Sequence, residues 1–201
     1  MNGRILVVGS NNADKLSEIG AILSGLPVEL RPASFYGPFD PAEDCDTLEG
    51  NAAAKAAAAR DLSGEWAIAD DTGLFVDALG GAPGVRSARY AGAGAGYAAN
   101  RRLLLERMAG VPKGRRTARF SCVIALAIPS APIVFFRGEV EGEITESERG
   151  DGGFGYDSIF FAPEIGMTFG EAPPALKNSV SHRFRALAAF RSALPRLLAG
   201  A

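Results

Sequence analysis

Short apolar runs separated by polar loops are the main pattern of this chain. Residues 4–8 (R-I-L-V-V) and 66–69 (W-A-I-A) are compact apolar runs, which predict strands buried on both faces of a sheet. Residues 118–128 and 133–140 form a second pair of apolar runs, separated by Pro-Ser-Ala-Pro at 129–132. This second pair predicts a hairpin with a prolyl turn.

Other segments have the composition or the spacing of helices. Residues 51–60 are rich in alanine, the strongest helix former, and residues 97–108 carry leucines on one side of a predicted helix. One further helix is expected to open at residues 177–183, with Ser181 as its candidate N-cap. Its core-facing stripe consists of Phe184, Leu187, Phe190, Leu194 and Leu198. Together these elements predict an α/β fold with a long, twisted, mixed sheet flanked by helices.

Composition limits the classes of function. The chain has 201 residues, of which 47% are hydrophobic and 22% charged, so we expect a single domain, 1–201, made of one body or of two lobes. The formal net charge of -2 provides no general attraction for nucleic acid polymers and favours a small anionic ligand met by a local positive cluster.

Cysteine content and hydropathy indicate the compartment. Cys45 and Cys122 lack metal-ligand spacing, so we expect two plain thiols in a reducing environment. The chain has neither the pattern of a signal peptide nor an apolar stretch long enough to span a membrane. We therefore expect a cytoplasmic protein without a membrane partner.

Two adjacent carboxylates follow the apolar run at 66–69. We expect the strand to end at Asp70 and Asp71, with a tight turn at Thr72 and Gly73. Because side chains alternate along a strand, the two aspartates should face opposite ways, so that one could hold a cation or a water while the other supports the turn. An ordinary Asx-type turn is the alternative explanation.

Acidic side chains also precede the alanine-rich segment. Glu43, Asp44, Asp46 and Glu49 lie just before it, where negative charge is favourable at a helix N-terminus. That structural role explains most of them, and one of the four remains a candidate metal ligand.

A polar loop follows the first strand and leads into a helical pattern. A helix N-terminus attracts anions through its free amides, and hydroxyl, amide and ammonium groups in the same loop would add further donors. Helix capping by Asn12 or Asp14 explains the loop equally well. Glu18 is placed to pair with Lys15. The loop consists of Ser10, Asn11, Asn12, Ala13, Asp14 and Lys15.

A glycine-rich loop and a lone histidine are the remaining candidates. Residues 150–157 read G-D-G-G-F-G-Y-D, and Phe154 or Tyr156 could stack on a base or serve the core beneath a turn. His182 is the only histidine. It lies between Lys177 and Arg183 at a predicted helix start, where it is either a structural hydrogen bonder or a ligand contact.

Six motifs occur in an order that is more specific than any one of them. On these motifs the chain resembles the inosine triphosphate pyrophosphatase family, also called the Ham1 family, over nearly its whole length. The motifs are S-N-N-A-D-K at 10–15, E-D-C-D-T-L-E-G-N-A-A-A-K-A at 43–56, A-D-D-T-G-L at 69–74, G-G-A-P-G-V-R-S-A-R-Y at 80–90, G-G-F-G-Y-D at 152–157 and S-H-R at 181–183.

The resemblance implies a fold, an activity and partners. It implies two lobes with a central nucleotide cleft, and a homodimer. The implied reaction is hydrolysis of the purine nucleoside triphosphates ITP, dITP and XTP to the monophosphate and pyrophosphate, with Mg2+ as the cofactor. A Maf-type nucleotide pyrophosphatase and a non-catalytic nucleotide sensor are the alternatives, against which the Phe-Gly-Tyr-Asp and Ser-His-Arg motifs and the intact carboxylates argue.

The resemblance also implies residue roles. It gives triphosphate binding to the loop 10–15, metal binding to Glu43 and Asp71, and proton acceptance to Asp71, with Asp70 in reserve. One departure is Gly50, where the family often has glutamate; Glu49 either substitutes or has no part. The residues implied to contact the base or lie beside the substrate are Thr72, Phe154, Gly155, Tyr156, Asp157, Lys177, His182 and Arg183.

Overall fold

The computed structural model describes residues 4–199, and its elements alternate between strands and helices along the first half of the chain. The strands are β1 (Arg4–Val8), β2 (Val28–Pro32), β3 (Trp66–Val76), β4 (Pro83–Gly84), β5 (Thr117–Ala127), β6 (Val134–Ile144), β7 (Phe160–Ala162) and β8 (Met167–Thr168). The helices are α1 (Ala13–Ile22), α2 (Leu48–Ser63), α3 (Tyr97–Arg107), α4 (Pro174–Val180) and α5 (His182–Ala199).

The strands form a mixed sheet in the order β2-β1-β3-β5-β6-β7-β8, with β4 paired to β3. Strand β1 runs parallel to β2 and to β3, whereas β7 runs antiparallel to both β6 and β8. Leu6 lies opposite Leu30 on one side and Trp66 on the other. The prediction of an α/β fold with a mixed sheet is confirmed.

The chain divides into two compact units, each with its own apolar core. Within the described residues, unit 1 comprises 4–71, 122–138 and 183–199, and unit 2 comprises 72–121 and 139–182. Leu187, Phe190 and Leu194 of α5 are buried in the core of unit 1, as the helical stripe predicted. Phe120, Phe160 and Phe169 are the main aromatic residues in the core of unit 2.

The predicted end of β3 is wrong. The strand continues through both aspartates and Gly73 to Val76. Gly73 serves close approach rather than a turn, because a Cβ on it would lie 2.7 Å from the carbonyl oxygen of Gly84 in the neighbouring strand β4. Glycine therefore extends the strand here by making room for a partner.

The C-terminal helix begins directly after Ser181, the predicted N-cap, and a short helix that was not predicted precedes it. Lys177 belongs to the short helix α4, which ends at Val180. Ser181 has extended backbone angles (φ -66°, ψ 159°), and α5 begins at His182. The extended residue at 181 breaks the helical hydrogen-bond pattern, so the segment folds as two helices instead of one.

The two cysteines do not form a disulfide. Cys45 and Cys122 are both free, as predicted, with Cys45 exposed and Cys122 buried. Among residues 4–199, none of the helices combines the length and the hydropathy required to cross a bilayer.

Candidate active site

The polar loop after β1 leads directly into α1. The Asn12 side chain caps the helix, because its Oδ1 accepts hydrogen bonds from the amides of Asp14 at 3.0 Å and Lys15 at 3.2 Å. Ser10 Oγ accepts from the amide of Asn12 at 3.2 Å, and Asn11 donates to the carbonyl of Phe39. The capping role predicted for Asn12 is confirmed, and the cap fixes Lys15 in the first turn of α1.

Lys15 lies on one side of a buried chain of charges that we call the Asp70 cluster, defined as Lys15, Glu18, Asp70 and Arg183. Lys15 Nζ is 3.1 Å from Asp70 Oδ2, and Arg183 Nη2 donates to the same oxygen at 2.9 Å. Arg183 Nη1 also donates to Glu18. Lys15 and Glu18 each have an ion-pair partner that is distant in the chain, and their pairing with each other stays a prediction.

Ion pairing fixes the protonation state of Asp70. Burial alone would favour the neutral acid, but the positive charges of Lys15, Arg183 and Lys55 outweigh it and hold the pKa of Asp70 far below its usual range. A carboxylate held so firmly in its charged form is a weak base. The structure therefore gives Asp70 an anchoring role between α1, β3 and α5, and Arg183 reaches it from α5.

The neighbouring aspartate belongs to a second group, the acidic cluster, defined as Glu43, Asn51, Lys55 and Asp71. Lys55 Nζ lies 2.6 Å from Glu43 Oε1 and 2.9 Å from Asp71 Oδ1. Asn51 Nδ2 donates to Asp71 Oδ2 at 3.2 Å. Asn51 and Lys55 are one turn apart on α2, so a single helix face supplies both contacts to the end of β3.

Burial shifts the titration of this cluster. It raises the pKa of Asp71 above that of an exposed aspartate, against the opposing influence of Lys55 and Lys15. The desolvation of Lys55 favours its neutral form, but the negative charges of Asp71, Asp70 and Glu43 outweigh it and raise the lysine pKa. Lys55 is thus a fixed positive charge between two carboxylates.

The acidic cluster has a donor set that suits Mg2+. Glu43 and Asp71 converge on one ammonium nitrogen, which shows that their oxygens can face a common cation. Among residues 4–199, no group of three or more His, Cys, Asp and Glu side chains is placed to hold a metal. Magnesium commonly takes one or two protein carboxylates and completes its shell with water and phosphate, so two carboxylates fit it.

A third group lies in unit 2 around Phe154. Asp157 Oδ2 accepts from the amide of Phe154 at 2.8 Å and from Lys177 Nζ at 2.6 Å. The same ammonium lies 4.8 Å from the centroid of the Phe154 ring, a cation–π distance. We call residues 150–157 the Phe154 loop. Its aspartate holds both the backbone of the loop and the lysine.

The two aromatic residues of this loop have different roles. Tyr156 is buried in the core of unit 2, where its hydroxyl donates to the carbonyl of Ser87 at 2.8 Å and burial raises its pKa. Phe154 is only half-buried. The sequence left open whether these aromatic rings stack on a base or pack in the core. Tyr156 packs in the core, whereas the Phe154 ring is partly exposed and so could stack on a ligand.

His182 and Thr72 are the remaining predicted residues of unit 2. The His182 ring stacks on Phe120 at 4.5 Å between centroids and an interplanar angle of 19°. Thr72 directly follows Asp71 in β3 and is half-buried. Stacking on Phe120 fixes the plane of the imidazole and so the directions in which its nitrogens can bond.

A model of the Ham1 family matches residues 6–193. The chain belongs to the Ham1 family. It is 49% identical over 190 residues to a Geobacter sulfurreducens protein named dITP/XTP pyrophosphatase, covering 94% of this chain and 96% of that one. A Desulforamulus reducens protein of the same name is 45% identical over 96% of each chain. The Ham1 protein structure from Coxiella burnetii superposes with a TM-score of 0.88 and 37% identity, covering 96% of this chain and 99% of that one.

In this Ham1 chain Gly50 stands where the family often has glutamate, and the local structure gives a reason for the glycine. A Cβ on Gly50 would lie 2.6 Å from Cys45 Cβ, so the bare backbone lets the acidic loop fold over the start of α2. The amide of Cys45 donates to Asn51 Oδ1 at 3.0 Å. Glu49 pairs with Arg137 of β6 instead of turning to Asp71. Its ion pair gives Glu49 a role outside the acidic cluster.

Asn51 and Lys55 were missed as candidate site residues of this Ham1 chain. The signal was present, because they are the two polar side chains in N-A-A-A-K-A-A-A-A at 51–59 and their four-residue spacing puts them on one face. Alanine-rich helices usually expose such polar residues, whereas Asn51 and Lys55 are only 1% and 6% exposed. Buried polar residues are expected to have specific partners.

Proposed function

We propose that this Ham1 protein hydrolyses the non-standard purine nucleoside triphosphates ITP, dITP and XTP to the nucleoside monophosphate and pyrophosphate. The names of its relatives support the substrate class. The observation that carries the chemistry is the convergence of Glu43 and Asp71 on a single positive charge, at 2.6 and 2.9 Å. Two carboxylates that face one cation suit a reaction in which a polyphosphate leaves.

Phosphate binding is assigned to the loop that precedes α1 and to Lys15. The loop residues are held by their own side chains, through Ser10 and the Asn12 cap, so their backbone is preorganised. Lys15 would carry its charge to the triphosphate, where an ammonium is a common phosphate partner. Its side chain is 18% exposed, which leaves it accessible to a ligand.

The hydrolytic step is assigned to Asp71. Glu43 and Asp71 would hold Mg2+, which when bound neutralises negative charge on the departing pyrophosphate. Asp71 would accept a proton from the attacking water, whose oxygen bonds to the α-phosphorus as the bond to the bridging oxygen breaks. Burial makes Asp71 a stronger base than an exposed aspartate. Its two oxygens have different partners, Lys55 and Asn51, which supports giving it both roles.

Base recognition is assigned to Phe154, Lys177 and His182. Phe154 would stack on the purine, and the donors of Lys177 and His182 would meet the oxygen at position 6. Adenine presents an amino group there, so a buried donor would stay unpaired at a cost of about 1 to 3 kcal/mol. Arg183 contributes through Asp70 in this proposal, because its guanidinium is already engaged there.

The test is pyrophosphate release from ITP, XTP, GTP, ATP and dTTP with magnesium, with wild type and Asp71→Asn in parallel. We expect strong turnover of ITP and XTP that falls at least about 1000-fold in the variant, as removal of a catalytic base commonly gives. Activity confined to dTTP would identify a Maf-type enzyme. Tight ITP binding without turnover in the wild type would identify a sensor.

The proposal includes an assembly and a compartment. A homodimer is supported by the resemblance, and sedimentation at micromolar concentration tests it. A cytoplasmic location is supported by the two free thiols. The formal net charge of -2 supports a substrate that is a nucleotide and not a nucleic acid polymer.

A further inference from the structure

Helix α3 contacts the Phe154 loop through two side chains one turn apart. The ring centroid of Tyr97 lies 5.9 Å from that of Phe154, with the rings inclined at 42°. Arg101 Nη1 donates to the carbonyl of Gly155 at 2.9 Å. Positions 97 and 101 share one face of the helix, so this face touches both Phe154 and the residue that follows it.

Arg101 also belongs to an ion-paired group at the two ends of the loop. Its Nε donates to Glu148 Oε2 at 2.9 Å, and Ser158 Oγ donates to the same oxygen at 3.0 Å. Glu148 lies just before the loop and Ser158 just after it. The desolvation of Glu148 is outweighed by the hydrogen bonds from Arg101 and Ser158, which lower its pKa and keep it charged at neutral pH.

The loop needs such support because its own sequence is permissive. Gly150, Gly153 and Gly155 have φ values of 80°, 68° and 63°, in the left-handed region where glycine is favoured. A glycine-rich loop loses much conformational entropy when it is ordered. A Cβ on Gly155 would meet nothing within 4 Å, so no neighbouring side chain packs against this position. The hydrogen bond from Arg101 to the Gly155 carbonyl therefore restrains the backbone here.

We propose that Arg101 is a positioning residue for recognition of the purine base, assisted by Tyr97. Arg101 fixes the backbone at Gly155 and thereby the orientation of the Phe154 ring beside Lys177. The inference rests on the proposed function, since it takes the ligand of this loop to be the base. Loss of Arg101 should weaken base binding and leave the chemistry at the phosphates intact.

The next residue provides a matched control. Arg102 lies 3.9 Å from Glu106 of the same helix, and its side chain is 75% exposed, against 18% for Arg101. Arg101→Leu and Arg102→Leu change the net charge and the helix propensity equally. A difference between the two variants therefore reports the contacts of Arg101 with the loop.

The experiment measures KM and kcat for ITP together with calorimetric binding of IMP and of inorganic tripolyphosphate, which has no base. For Arg101→Leu we expect KM to rise and IMP binding to weaken by about tenfold, with kcat and tripolyphosphate binding within about twofold, because a charged hydrogen bond is lost at the base loop alone. Arg102→Leu should stay within about twofold in all four quantities.

A second variant guards against misfolding. Arg101→Lys keeps the charge beside Glu148 but not the forked geometry, and we expect an intermediate rise in KM of about threefold. Equal KM values for Arg101→Leu and Arg102→Leu, or a parallel loss of IMP and tripolyphosphate binding, would overturn the inference. A wild type that neither binds IMP nor hydrolyses ITP would overturn the proposed function along with it.

Discussion

Two buried lysine–aspartate pairs, one in each unit, have similar distances and different surroundings. Lys55 and Asp71 are 2.9 Å apart in unit 1, and Lys177 and Asp157 are 2.6 Å apart in unit 2. Both pairs are mostly buried. Glu43 joins the first pair, so the acidic cluster carries two carboxylates for one ammonium. In the second pair the Phe154 ring lies next to Lys177, and the single positive charge of Lys177 balances the single negative charge of Asp157.

The charge balance indicates what each site can accept. The acidic cluster combines the buried Lys55 and Asp71 with Glu43, whose side chain is 36% exposed. Its one surplus negative charge is stabilised by a further cation, which suits a metal ion. A balanced pair next to an aromatic face has no such need and suits a flat, uncharged group such as a purine. Under the proposed function, the first pair would serve the phosphates and the second pair the base, because of one additional carboxylate and one ring.

Removing each lysine in turn should separate chemistry from binding. Lys55→Met leaves Asp71 beside Glu43 without a counter-charge, and we expect kcat for ITP to fall about 100-fold or more with KM within about threefold. Lys177→Met should raise KM at least about tenfold and change kcat by less than about threefold. Steady-state kinetics on both variants checks this. The same kcat and KM pattern in both would contradict the comparison.

Asp70→Asn tests whether the aspartate next to the acidic cluster is an anchor. It removes the buried carboxylate that Lys15 and Arg183 share and leaves Arg183 with Glu18 as its negative partner, and we expect the free energy of unfolding at pH 7 to fall by about 3 kcal/mol. Asp61→Asn, whose side chain is 66% exposed, is the control and should change stability by less than about 0.5 kcal/mol. Urea unfolding measures both, and equal stabilities would reject the anchoring role.

The same anchor predicts a pH dependence. The pKa of Asp70 is lowered in the folded state, so its contribution is present above the unfolded value of about 3.9. The contribution is lost as pH falls from there towards the folded pKa. Between pH 6 and pH 3, wild-type stability should therefore decline more steeply than that of Asp70→Asn. Parallel declines would show that other carboxylates dominate.

Two glycines of the Phe154 loop separate steric clash from backbone preference. A Cβ on Gly153 would lie 2.1 Å from Asp157 Oδ2, whereas at Gly155 nothing lies within 4 Å. Gly153→Ala should raise KM for ITP by about tenfold or more, and Gly155→Ala by about threefold, since only left-handed backbone strain of about 1 kcal/mol applies there. Similar KM values would mean that Asp157 can move aside.

The smallest effect is expected at Glu49. Its partner is Arg137, so Glu49→Gln should change the magnesium concentration for half-maximal activity by less than about twofold and the stability by less than about 1 kcal/mol. A titration of activity against magnesium measures the first quantity. A shift of tenfold would restore Glu49 as a substitute for the glutamate absent at Gly50.

Local sequence patterns predicted most elements of the fold, but they failed where contacts between distant parts of the chain determine the ends of an element. Apolar runs predicted β1 and β5 closely because a buried strand needs such runs. The end of β3 could not be predicted in this way, because its extension past Gly73 depends on pairing with β4. The start of α5 follows the predicted cap, but the separate helix α4 was not predicted, and Ser181 ends it without a glycine or proline. The residue is fully buried, which indicates that tertiary packing holds it in place.

The carboxylates of the site were predicted more readily than their partners. Asp71 and Glu43 belong to motifs that are rich in acidic residues, whereas Lys55 lies in a segment that resembles any alanine-rich helix. The distant partners of Lys15 and Glu18 could not be predicted for the same reason. Arg183, which is 165 positions away in the chain, pairs with Glu18. The rule that residues three or four apart on a helix can pair contains no information about such a distant partner.

The double pairing of Asp70 affects how readily Lys15 can change partners. If the ammonium of Lys15 moves to a phosphate, as the proposed function has it, Arg183 can still hold the carboxylate oxygen of Asp70, from which it lies 2.9 Å away. The buried carboxylate of Asp70 then keeps a positively charged partner, so the movement of Lys15 to the phosphate carries little electrostatic penalty. An arginine that need not touch the triphosphate would thereby raise the affinity for it.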